Sequence, residues 1–200
     1  MYTIKKCENR MLEIDDKAWE AAEVAQVDII NWPDVEDLNP IPDMKARLLY
    51  NEYGIFVNMQ TDEEPLLATK RKQNDAVCTD SCMEFFIRPN ENNPKYFNLE
   101  FNPFGTMNLG FRSDRFDRVD PTETKKDFHV QSEVGEKIWT LQFVLPFEII
   151  DKYFGAHTDV MYANIYKCGN KKHYATYYPV KTEKPDYHRP EFFGKFVLEK

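Results

Sequence analysis

Between residues 78 and 112 the sequence CTDSCMEFFIRPNENNPKYFNLEFNPFGTMNLGFR alternates its side chains with a period of two in three successive runs. That period puts neighbouring side chains on opposite faces of an extended strand, so the stretch calls for a sheet. Met83, Phe85 and Ile87 share one face, with Glu84, Phe86 and Arg88 opposite. Phe97, Leu99 and Phe101 likewise oppose Tyr96, Asn98, Glu100 and Asn102, and Met107, Leu109 and Phe111 oppose Asn108 and Arg112. Pro89-Asn90-Glu91-Asn92-Asn93-Pro94 and Pro103-Phe104-Gly105 have turn composition and are short enough to join antiparallel neighbours. A three-stranded meander is expected, with an apolar face that a second layer must cover.

The opposite face carries Glu84, Asn98, Glu100, Asn108 and Arg112. Neighbouring strands lie about 4.8 Å apart, so these groups can form a compact polar array. Carboxylates accept, guanidinium donates and amides do both, which suits a polyhydroxyl ligand. A solvent-facing sheet with cross-strand ion pairs explains the same pattern equally well.

The rest of the chain supplies further strands. Tyr2-Thr3-Ile4 reads as a first strand, and Asp15-Asp16 as the cap of a short helix through 17–22, anchored by Trp19. Pro33, Pro40 and Pro42 keep 27–42 irregular. Residues 46–50 and 54–59 form a hairpin around Asn51-Glu52-Tyr53-Gly54. Residues 61–76 read as a polar loop. Residues 128–134 pair with 138–145, then a helical turn follows at 146–150; 160–168 pair with 173–180 around Gly169-Asn170-Lys171-Lys172, and 193–198 close the chain. About ten short strands with no long helical period predict an all-β fold, an antiparallel β-sandwich. The chain is 200 residues long and its 15 Phe and 11 Tyr suit strands, so one domain over residues 1–200 is expected.

A net charge of -8 argues against nucleic acid or an anionic membrane as the main partner. No run approaches the roughly 18 apolar residues of a membrane span, and the first residues hold no apolar signal core. The expected location is the cytoplasm, or outside the cell if an export signal has been removed. Cys7, Cys78, Cys82 and Cys168 are expected to be reduced thiols. Cys78 and Cys82 have C-x3-C spacing, but no second close Cys or His pair completes a zinc set, and His129, His157, His173 and His188 show no ligand spacing. The alternating charges of 113–120 could touch a cation but lack the glycine and terminal Glu of a calcium loop. No cofactor is expected from the residues themselves.

Asp80-Ser81-Cys82-Met83-Glu84-Phe85-Phe86-Ile87, followed by Tyr96-Phe97-Asn98-Leu99-Glu100-Phe101-Asn102 and Gly105, resembles the family 9 carbohydrate-binding modules. Trp19 with Ala22, the run from Ala163 through Asn164 to Gly169, and His188-x-Pro190 with Phe193-Gly194 extend the likeness over most of the chain. The resemblance implies a β-sandwich that grips a mono- or oligosaccharide between two aromatic rings, with a carboxylate and an arginine bonding to hydroxyls. Some members also carry structural calcium. By this resemblance Glu84 matches the carboxylate, Arg112 the arginine, Asn164 the segment leading to the second aromatic, and Tyr177 the place where many relatives have Trp. The pattern departs at Val77-Cys78-Thr79, where the other tryptophan would stand.

Non-catalytic sugar binding by Glu84, Asn98, Glu100, Asn164, Arg112 and Tyr177 is therefore the expected function. A glycoside hydrolase is the chief rival, since retaining enzymes use two carboxyls about 5 to 5.5 Å apart and Glu84 and Glu100 are expected neighbours. An acid catalyst needs a raised pKa, whereas Glu84 beside Arg112 is expected to stay ionised. A protein-interaction sandwich with a decayed sugar site is the third reading.

Overall fold

The computed structural model describes residues 1–37, 40–169 and 173–200. In chain order its strands are β1 (Tyr2–Lys6), β2 (Ala25–Gln26), β3 (Ile29–Ile30), β4 (Met44–Tyr50), β5 (Gly54–Thr61), β6 (Ser81–Arg88), β7 (Tyr96–Phe101), β8 (Met107–Arg112), β9 (Gln131–Val134) and β10 (Trp139–Pro146). A helix α1 (Phe147–Phe154) follows, then β11 (Val160–Gly169), β12 (His173–Thr176) and β13 (Gly194–Leu198). The expected helix after Asp16 is a 3-10 turn over Lys17–Ala21, capped by the Asp16 side chain on the Ala18 N–H. Part of the expected turn at 169–172 lies outside the described residues.

The strands build a β-sandwich, in the order β8-β7-β6-β11-β13-β1-β4-β5-β10-β9. The sheet is mixed where an antiparallel one was expected, and the exception sits in one place. β1 runs parallel to both of its neighbours, pairing β13 through Tyr2, Thr3 and Ile4 and β4 through Lys5 and Lys6. One short strand thus belongs to both layers and carries the sheet around the edge of the core.

The alternation read in 78–112 is the register of the core. Met83, Phe85, Ile87, Phe97, Leu99, Phe101, Met107 and Leu109 are all buried in one cluster with Leu141, Phe143 and Leu145 of the opposite layer. Phe101 stacks on Phe143 at 4.8 Å, and Phe85 lies 6.3 Å from the same ring. Each such side chain contributes about 1.5–3 kcal/mol by leaving water. The hydrophobic face of α1, including Ile149, Ile150 and Phe154, closes one end, and Gly155 in the left-handed region ends the helix.

Gly54 starts β5 opposite Pro146, so close that a Cβ there would run into the Leu145 carbonyl oxygen and lie 2.8 Å from the Pro146 Cα. Backbone cannot step aside as a flexible side chain can. Gly54→Ala should therefore cost at least about 1–3 kcal/mol, the range for overpacking, read as a fall in the denaturant midpoint with unchanged slope; an unchanged midpoint would show that β5 and β10 are not this closely paired.

Candidate functional site

The polar array predicted on the outer face exists, and the register assembles it. Glu84 pairs across the strands with Glu100, and Glu100 with Asn108. Asn98 stands opposite Gly110 and Arg112 opposite Tyr96. Gly110 is bare for a reason: a Cβ there would sit 2.5 Å from the Asn98 Oδ1 and 3.1 Å from an Arg112 Nη. The amide and the guanidinium occupy the space that any other side chain would fill.

This face is not open to solvent, as either an exposed platform or a solvated sheet would have required. Glu84, Asn98, Glu100, Asn108 and Arg112 are all buried. The cover is a second apolar cluster of Trp32, Phe86, Tyr96, Tyr166, Val180, Tyr187 and Phe193. Residues 177–193 lie back across the sheet, with Tyr187 stacked on Tyr166 at 4.1 Å and His188 on Phe86 at 5.1 Å. Trp32 holds that segment from beside it, its indole N–H donating to the Thr182 carbonyl at 2.8 Å.

Burial obliges the polar groups to satisfy one another. Glu100 accepts from the amides of Asn98 at 3.0 Å and Asn108 at 2.8 Å, and Arg118 donates to the Asn108 Oδ1 at 2.7 Å. Arg112 donates to the Arg115 carbonyl at 3.2 Å, leaving its Nε and the Asn98 Oδ1 buried without a partner. Glu84 takes its hydrogen bonds from thiols instead, Cys168 at 3.1 Å and Cys82 at 3.7 Å.

Glu84 was expected to stay ionised beside Arg112, and the structure corrects this. Desolvation, reinforced by Cys168 and the Glu100 carboxylate, raises Glu84 well above the usual carboxyl range. Desolvation also raises Glu100, against the pull of the Asn108 amide, Arg118 and Arg112. Asp80, just before β6, behaves oppositely: burial alone would raise it, but the Lys70 N–H, the Asn102 amide and Thr69 outweigh burial and lower it. That carboxylate pins the 65–76 loop at the foot of the meander.

Only part of the array reaches a cavity. A cleft of about 270 Å³ is lined by Glu84 and Glu100 at its floor, with Cys78, Cys168, Tyr174 and the 185–188 segment around them. Arg115 and Asp186, joined as an ion pair, form a charged wall, and His188 meets the Tyr96 hydroxyl at 3.0 Å. A larger hollow of about 570 Å³ between 63–66 and 134–139 contains none of the predicted site residues.

Asn98 and Arg112 belong to the array but do not line the cleft, and two further predicted residues lie elsewhere. Asn164 shares the outer face, but its amide clamps the Tyr178 backbone, accepting from the N–H at 2.8 Å and donating to the carbonyl at 3.0 Å. Tyr177 follows the parity of Ala175, which faces the core, and its ring packs 6.2 Å from Tyr2 and 6.1 Å from Phe196. The aromatic that β12 turns toward the cleft is Tyr174, paired in register with Cys168. In the 113–120 loop, the Asp114 and Asp117 carboxylates accept from the loop's own backbone N–H groups. Sequence reasoning missed Tyr174, Tyr187 and His188; only the His188-x-Pro190 motif gave a signal for any of them.

The sandwich carries its polar cleft over one sheet, walled by aromatic rings. The sequence model of carbohydrate-binding family 9 matches residues 13–198, and the chain belongs to that family. No curated protein matches it in sequence. The fold is similar to that of a Bacteroides uniformis protein described as carbohydrate-binding, with 23% identity, 98% of each chain covered and a TM-score of 0.79. It is also similar to a family 9 module from Caldicellulosiruptor kristjanssonii in complex with glucose, at 9% identity over 98% of this chain and 94% of that one, with a TM-score of 0.69. The complex of a Caldicellulosiruptor kristjanssonii module with cellotriose gives 10% identity over 99% and 93%, with a TM-score of 0.67.

Desolvation, together with Arg112 and Arg115, lowers His188 to about 3. The folded protein then keeps this ring neutral down to about pH 3, while the unfolded chain takes up the proton near pH 6.5. Stability should fall as pH drops through that window, by up to about 1.4 kcal/mol per pH unit from this group. Glu84 and Glu100, being raised, act in the opposite sense: the stability they contribute is present below about pH 4.5 and lost as pH rises. His188→Gln should therefore remove acid-side destabilisation relative to the parent in urea titrations between about pH 4 and pH 7; parallel pH profiles would mean that the ring is solvated.

Proposed function

We propose that the protein binds a sugar unit non-catalytically in the cleft over Glu84 and Glu100. One observation carries the reading: acceptors, donors and aromatic rings converge on a single cavity of about 270 Å³ above the sheet. That volume is just under the roughly 300 Å³ at which small-molecule sites begin, which suits one pyranose of a mono- or oligosaccharide. Glu84 and Glu100 receive or share hydroxyl protons, the Arg115–Asp186 pair offers both a donor and an acceptor, and Tyr174 offers the ring against which an apolar sugar face rests. Family membership supports the class of ligand, and the glucose and cellotriose complexes of the Caldicellulosiruptor modules support its size.

The raised Glu84 gives the hydrolytic reading one point in its favour, because an acid catalyst needs such a carboxyl. The partner argues against it. Desolvation raises Glu100 as well, whereas a retaining enzyme needs its second carboxyl ionised to act as the nucleophile. Nitrophenyl glycosides should release no nitrophenol with this protein above the uncatalysed rate, and release that Glu84→Gln abolishes would establish an enzyme.

Tyr174→Ala and Glu100→Gln should each weaken binding of the best glycan-array hit by about 1.5–3 kcal/mol, roughly 10- to 150-fold in Kd by calorimetry. Tyr177→Ala should instead lower stability and leave Kd within about twofold, since its ring packs on Tyr2 and Phe196. If Tyr177→Ala abolished binding in a folded protein while Tyr174→Ala did not, the ligand would lie outside this cleft.

A further inference from the structure

At the floor of the cleft three soft or anionic donors face one another. The Cys168 Sγ lies 3.1 Å and the Cys82 Sγ 3.7 Å from the same Glu84 oxygen, and all three donor atoms lie within 4.8 Å of one another. A tetrahedral zinc ion, with bonds of about 2.3 Å to sulfur and about 2.0 Å to oxygen, holds such ligands about 3.5 Å (S to O) and about 3.8 Å (S to S) apart. The two sulfur-to-oxygen distances are therefore within a few tenths of an ångström of a coordination shell, and the sulfurs lie within about an ångström of theirs. The scaffold is preformed: Cys82 and Cys168 are direct partners on adjacent strands, and Glu84 lies two residues along the same face.

Charge points the same way. Glu84 is buried next to a second carboxylate, and among the described residues no lysine or arginine forms an ion pair with it. A buried carboxyl without a cation partner is held neutral by its proton, whose place a bound cation can take. Glu84 and Cys168 line the cleft, so an ion has an entry path and one coordination position turned toward that cleft. Two sulfurs with one carboxylate favour zinc over calcium or magnesium.

We propose that Cys82, Glu84 and Cys168 bind a thiophilic divalent cation, Zn2+, as three protein ligands with the fourth position facing the cleft. Each binding event displaces whatever protons the two thiols and the carboxyl hold. The proposal does not rest on the sugar reading, and its test contains no sugar.

The full chain, reduced and stripped with chelator, is titrated with Co2+ and then with Zn2+ alone. One equivalent of cobalt should raise thiolate-to-metal charge-transfer absorption and the intense visible bands of a four-coordinate site, and one equivalent of zinc should erase both. Cys82→Ser and Cys168→Ser should each weaken zinc binding at least about 100-fold, more than loss of an outer partner typically costs, while Cys7→Ser, in a separate cluster, leaves it unchanged. Circular dichroism checks that the variants fold, and the parent's cobalt spectrum stands whatever they do. Absence of charge-transfer bands at saturating cobalt, or a folded Cys82→Ser, Cys168→Ser double variant that binds zinc as tightly as the parent, would overturn the site.

Discussion

A sheet buried on both faces must satisfy every polar group it carries, and that constraint organises this protein. The inner face of β6, β7 and β8 meets it by holding almost nothing polar. The outer face meets it for most of its groups by mutual pairing, with the Arg112 Nε and the Asn98 Oδ1 left over: Asn98 and Asn108 close on Glu100, Arg118 on Asn108, and thiols on Glu84. An unpaired buried group costs about 1–3 kcal/mol, so these positions are tied to one another and not freely exchangeable. The same rule explains why the cover is aromatic. Tyr187 brings a large apolar face together with a hydroxyl that reaches the Lys167 and Ala175 carbonyls.

The sandwich and its core were legible because the period-two pattern is local and strong. It put Glu84, Glu100 and Asn108 on one face before any pairing was known, and the register then sets them in one row. The cover was not legible, because its contacts join residues far apart in the chain. His188 reaches Tyr96 across 92 positions and Cys168 reaches Glu84 across 84, and no local pattern encodes either. The cysteines show the limit well. A search for ligand spacing looked at Cys78 and Cys82, whereas the sheet sets Cys82 against Cys168.

Tyr177 teaches a related point about likeness between sequences. A motif position names a place in an alignment, while parity along β12 decides which face a side chain serves. Tyr174 shares the outer face with Cys168 and Tyr166, and Ala175 and Tyr177 share the inner one. The aromatic at the cleft is thus Tyr174 and not the Tyr177 that the resemblance indicated, and one hairpin supplies both.

The parallel pairing of β1 with β13 also sets how the protein answers to force. Tyr2 lies beside Phe196 and Ile4 beside Leu198, so the first strand of the chain and the last run side by side in the same direction. Tension between residues 1 and 200 pulls these strands oppositely along their lengths, loading their hydrogen bonds together in shear instead of peeling them one at a time. Rupture under load is governed by the unfolding barrier and not by equilibrium stability. That load falls on the seam between β1 and β13.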